Sequence, residues 1–180
     1  MTTDFARRRF NEMVLPHLDD AYGLARWLTG NRTDAEDVVQ DACMRALASL
    51  ETAVVERARP WVLTIVRNTA FSWLAKNRPK AVVFTDDLSV SEQQELEHEG
   101  PHGARIETPE EIALFKADAE DVQRALAQLP AHFREAIVLR EMNQLNYRDI
   151  AEITNVPIGT VMSRLSRGRQ LLIALLGDRT

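Results

Sequence analysis

Apolar residues recur at helical spacing along most of this chain. Residues 4–15 and 16–29 read as two helical stretches, with Pro16 tolerated only in a first turn. Gly30-Asn31-Arg32 breaks the pattern. Thr33-Asp-Ala-Glu36 then forms a capping box, in which a Thr oxygen accepts the amide of Glu36 and Glu36 reaches back. Behind it Ala35, Val38, Val39, Ala42, Ala46 and Leu50 share one face, so the spacing predicts an amphipathic helix over 34–50. Pro60 marks the first turn of the next helix. Trp61, Ile65, Val66, Thr69 and Trp73 lie along it until Asn77-Arg78-Pro79 ends it. Helices of this length can bury one core, which gives a first domain over 1–79.

From 80 to 107 the periodicity lapses. Ser-Val-Ser-Glu-Gln-Gln-Glu and His98-Glu-Gly-Pro-His-Gly103 describe a flexible acidic linker, with a short helix around 91–98. Thr108-Pro109-Glu110-Glu111 is a second capping box, so order resumes over 108–180. Ile112, Phe115, Ala119, Val122, Leu126 and Leu129 continue that helix, and Pro130 starts another carrying Phe133, Ile137, Val138 and Leu139. The expected fold class is all-α: two small helical domains joined by a flexible linker.

The last forty or so residues carry the most information. Asn146 can cap a short helix over Tyr147–Thr154, and a second helix runs from Ile158 to about Leu176. Ala151 is small where two helices must cross closely. Asn155 occupies the sharp turn, where Asn or Gly takes a positive φ cheaply. Val161 supplies the apolar side chain that locks the second helix onto the first. Small residue, turn residue and anchor at these offsets make a helix-turn-helix, whose second helix exposes Thr160, Ser163, Arg164 and Arg167.

Composition narrows the class. Of 180 residues 45% are apolar and 6% aromatic, which fits a helix-rich protein with a core and excludes collagen-like and low-complexity chains. No apolar run is long enough for a membrane span, and no apolar segment follows Arg7-Arg8-Arg9, so neither span nor secretory signal is expected. One cysteine, Cys43, excludes an internal disulfide framework and fits the cytoplasm; it lies close to the apolar stripe and is expected to be packed. The net charge of −5 argues at first against a nucleic-acid partner. Its distribution reverses that impression. Residues 1–80 carry 12 bases and 10 acids, 81–115 one base and nine acids, and 116–180 nine bases and eight acids. No acid lies between Glu56 and Asp86, or between Ile153 and Gly177. Two basic surfaces flank an acidic spacer. On this reading the linker acids compete with phosphate, and the two domains stand at no fixed separation.

The run from Tyr147 to Arg169, with Leu129-Pro130, Phe133-Arg-Glu and Val138-Leu-Arg before it, resembles region 4 of bacterial sigma factors. Asp34-Ala-Glu-Asp-Val-Val-Gln-Asp41 and Trp61-Val-Leu-Thr-Ile-Val-Arg-Asn68 resemble region 2. The family is the sigma-70 superfamily, of the small extracytoplasmic function (ECF) type. The resemblance implies a sigma factor that binds core RNA polymerase, recognises −35 and −10 promoter DNA and promotes opening, with an anti-sigma factor as a further partner. Asp34, Asp37, Gln40 and Asp41 match the polymerase-binding face, although the same spacing suits a solvated acidic helix. Arg67, Asn68, Phe71, Lys76 and Arg78 fall in the stretch that handles the −10 element, where opened bases need hydrogen bonds and flat partners and phosphates need cations. Trp61 is expected to pack inward. Thr160, Ser163, Arg164 and Arg167 match the −35 positions; Arg suits guanine, whereas Ser and Thr suit phosphate. The loop 51–59 lacks the aromatic and Gly common in the family, Ser72 replaces a common acid, and Met162 stands where Arg or Lys is frequent.

Two other classes compete. A free-standing regulator would use the helix-turn-helix alone, usually as a dimer, but no coiled-coil seam is present. A metal protein would use Glu95-Leu-Glu-His98 and His102, but a helical di-metal site needs a pair of such motifs. No cofactor, metal or catalytic site is expected.

Overall fold

The computed structural model describes residues 2–78 and 119–177. The expected linker at 80–107, the capping box at 108–111 and His98 and His102 lie outside the described residues. Every regular element among those described is helical.

Helix α1 (Thr2–Met13) leads through a tight turn at Leu15–His17, containing Pro16, into α2 (Leu18–Thr29). Gly30 ends α2 at φ 86°, a conformation open to glycine, and its amide donates to the Arg26 carbonyl at 3.0 Å. Helix α3 (Arg32–Ser49) begins two residues before its expected start. Asn31, not Thr33, caps it: the extended backbone after Gly30 aims Asn31 Oδ1 at the Asp34 amide, 2.9 Å away. Thr33 is therefore inside the first turn, and Glu36 pairs with Arg32 instead. The predicted stripe holds in five of its six positions: Ala35, Val38, Ala42, Ala46 and Leu50 are buried, and Val39 is half-buried against the core. At the far end of α3, Arg9 donates to the carbonyl of the cap residue Leu50 (2.7 Å), which a helix terminus otherwise leaves unpaired, and to that of Ala53 in the turn beyond (3.1 Å).

Helix α4 (Ala58–Asn77) packs against α2 and α3 around Leu24, Leu28, Val38, Leu63 and Val66. Alanines at 21, 25, 42 and 46 let the axes approach closely. Burying each large aliphatic side chain contributes about 1.5–3 kcal/mol. Trp61 packs against this core, and Cys43 borders a small apolar hollow with Val14, Leu18 and Ile65.

The second half comprises α5 (Ala119–Gln128), α6 (Ala131–Ile137), α7 (Tyr147–Thr154) and α8 (Ile158–Gly177). Phe133, Ile137, Val138 and Leu139 are buried as expected, but α6 widens into one π turn over Val138–Met142. The widening places the Asn143 amide on the Val138 carbonyl at 3.1 Å. Gly168 lets α8 cross α6: a Cβ there would lie 2.9 Å from Ile137 Cδ1.

The two halves are docked, not at an open separation, and their buried apolar residues form one continuous core. Helix α7 lies against α4, and the π turn against α2. Polar bonds close the seam. Asn143 Nδ2 donates to the Asp20 carbonyl at 3.1 Å, Arg59 donates to the Asn143 carbonyl at 2.5 Å, and Gln123 donates to the Gly30 carbonyl at 2.7 Å.

Candidate nucleic-acid interface

The α3 face divides. Asp37, Gln40 and Asp41 point to solvent, Asp41 in a half-exposed pair with Arg45 at 3.0 Å. Asp34 does not join them. Its carboxylate takes Arg78 at 2.8 Å and the Asn31 amide, because it sits in the first turn facing the end of α4. Met44 and Leu47 extend the exposed face one turn further, 68% and 38% exposed. Both fall outside the buried stripe of α3, which is the signal in the sequence that marks them.

Helix α4 presents the expected −10 residues in three settings. Asn68 and Lys76 are exposed. Arg78 bonds the Thr29 carbonyl and Asp34, with its guanidinium over Trp73. Phe71 is buried at 8% exposure, so its ring serves the core and offers no face to a base; the Arg67 guanidinium covers it at 4.6 Å. Arg67 itself makes two bonds to the Glu135 carboxylate, at 2.7 and 3.0 Å, and one to Asn68 Oδ1 at 3.2 Å.

The turn between α7 and α8 takes the expected form. Asn146 Oδ1 caps α7 through the Asp149 amide at 2.8 Å, and Asn155 adopts φ 54°. The Val156 amide closes back on the Ala151 carbonyl at 3.1 Å, and Val161 is fully buried between the helices. Ser163 and Arg167 project to solvent, and Thr160 is half-buried. Arg164 departs from the expected exposure: its side chain is 22% exposed and its NH1 leans to Glu135 Oε1 at 3.6 Å.

Glu135 is thus the meeting point of α4 and α8. It is completely buried, and burial pushes its carboxyl above the usual range while Arg67, and then Arg164, oppose that shift. An acid among Phe133, Ala136 and Ile137 was the available signal. A second bridge spans the halves nearby: Arg57 pairs with Glu152 at 2.9 Å and with Asp149. Hydrogen bonding to Asp149 raises the Arg57 guanidinium pKa further.

The sigma-70 region 2 family matches residues 13–80, and sigma-70 region 4 matches residues 119–172. The ECF RNA polymerase sigma-E factor of Haemophilus influenzae is 34% identical over 170 residues, covering 92% of this chain and 86% of that protein. The chain belongs to the sigma-70 family, as an ECF-type sigma factor. The sigma factor is also 29% identical to SigW of Bacillus subtilis over 170 residues, with 94% of this chain and 89% of that one covered. Among solved structures, RpoE of Bartonella quintana bound to the anti-sigma factor NepR matches with TM-score 0.68 and 29% identity, over 96% of this chain and 99% of that one. CnrH, with the cytosolic domain of CnrY, shares the fold at TM-score 0.67 and 22% identity, over 99% and 94%. No described helix of the sigma factor is long and apolar enough to cross a membrane. It is a promoter-recognising regulator of transcription.

Proposed function

We propose that residues 1–79 of this sigma factor hold core RNA polymerase and the −10 element, that 108–180 read the −35 element, and that 80–107 connect them. The exposed α3 surface of Asp37, Gln40 and Asp41, continued by Met44 and Leu47, meets a basic partner on the polymerase. Asn68 receives an opened base, with Lys76, Arg67 and Arg78 on phosphates. Arg164 and Arg167 reach base edges in the major groove, and Thr160 and Ser163 reach phosphates. The observation that carries this reading is the α8 surface: a helix set by the Asn155 turn, bearing Arg164 and Arg167 and no acid from Ile158 to Gly177. Such a surface meets phosphate without repulsion. The protein works in the cytoplasm as a regulator and not as an enzyme, and an anti-sigma factor restrains it as NepR accompanies its RpoE relative.

Run-off transcription with purified core enzyme, followed by start-site mapping, tests the reading. Initiation at defined start sites is expected, and no initiation above core enzyme alone would overturn it. Within that assay Asn68→Ala is expected to lower permanganate reactivity of the opened strand on duplex templates more than on pre-melted ones.

A further inference from the structure

The first two turns of α8 hold two large apolar side chains in water. Ile158 is 47% exposed and Met162 38%. Four residues apart, they lie one above the other on the same side of the helix. A Cβ at Gly159 would meet nothing of the rest of the described protein within 4 Å, so this end of α8 stands clear of its neighbours. A single exposed apolar residue needs no explanation, but a pair on the helix that also exposes Ser163 and Arg167 does.

Helical geometry fixes which part of the surface they take. Val161, Leu165, Gly168 and Leu172 form the buried side of α8. Ser163 stands opposite them, with Arg167 about 40° to one side of it and Met162 about 100° to the other. The outer arc therefore has a charged margin at Arg167 and an apolar margin at Ile158 and Met162. Arg169 comes two turns after Met162 on that apolar margin, and it is held by Glu141 at 2.5 Å. Over the first two turns the margin presents carbon and sulfur, with no side-chain hydrogen-bond donor.

We propose that Ile158 and Met162 read thymine in the −35 element through its methyl group. This inference rests on the reading of α8 as the −35 surface. Every base pair shows donors and acceptors in the major groove, and thymine alone adds an apolar group, the C5-methyl. Packed on that methyl, the pair buries apolar surface on both sides. Packed on the polar edge of another base, it strips water and returns no hydrogen bond, which lowers affinity. The pair is too small for a stable protein contact, which covers several hundred Å² on each partner. Leu171, the other large apolar side chain exposed on α8, is nine residues beyond Met162 and so on the opposite side.

Deoxyuridine tests this without altering the protein, because it lacks only the methyl of thymidine. Holoenzyme binding at fixed salt is measured on duplexes of a promoter located by start-site mapping, with each −35 thymine of either strand replaced in turn. At one or two positions the wild type is expected to lose about fourfold in affinity, the contribution of one buried methyl. Ile158→Ala and Met162→Ala, both surface changes, are each expected to erase that difference at one position, binding thymine and deoxyuridine duplexes alike. Deoxyuridine tolerated at every position would overturn the proposal, as would a −35 element with no thymine on either strand. A penalty that survives in both alanine variants would also overturn it and assign the pair to another partner. Arg167→Ala separates the premises where deoxyuridine is tolerated: unchanged affinity removes α8 from the −35 element, whereas reduced affinity removes only the methyl reading.

Discussion

Arg164 and Arg167 stand one helical turn apart on α8 and differ in setting. Arg167 is exposed, whereas Arg164 is drawn toward Glu135. If both read base edges, each alanine variant costs about 1–3 kcal/mol of holoenzyme binding and relaxes discrimination at one base pair. Binding measured across a set of −35 variants checks this; a uniform loss across the set would mark a phosphate contact instead. Cys43 gives a second prediction at this scale. Burial pushes its thiol up, so less thiolate is present at a given pH than on an open chain. Iodoacetamide at pH 8 is expected to label the native protein several-fold more slowly than the same chain in urea, with the difference shrinking as pH rises through the raised value.

At the scale of the elements, local chemistry was readable where it acts over a few residues. The α3 stripe, the Asn146 cap and the left-handed Asn155 all follow from spacing and side-chain type. The start of α3 was misread because Asn31 and Thr33 can both cap, and only the backbone direction after Gly30 chooses between them. The π turn has no signature in the apolar pattern, since Val138 and Leu139 are buried either way. Glu135 and Arg67 are 68 residues apart, and Arg57 and Glu152 are 95 apart, so their pairing leaves no trace in either window. For the same reason Phe71 and Arg164 were expected at the surface. Two substitutions test the element geometry by urea unfolding. Asn155→Val forces a β-branched residue into the left-handed region and is expected to cost about 1–2 kcal/mol, whereas Asn155→Gly stays close to neutral. Gly168→Val meets Ile137 and is expected to cost about 1–3 kcal/mol by overpacking the α6–α8 crossing.

Across the whole molecule, the α3 surface lies apart from the Glu135 seam, so its loss should be separable from DNA binding. Asp37→Arg with Asp41→Arg is expected to abolish retention by immobilised core enzyme while leaving the helical circular-dichroism signal intact; full retention would take this face out of the interface. The docked seam also bears on how the molecule answers to salt. When a lysine or arginine engages a phosphate, DNA gives up a condensed cation, and each such contact steepens the fall of affinity with salt by about 0.9. Arg67 already bonds the Glu135 carboxylate, so in the protein acting alone any phosphate must compete with that pair. Breaking the pair lowers affinity and leaves the number of cations that DNA releases unchanged. A buried ion pair of this kind therefore shows in the height of a salt titration and not in its slope.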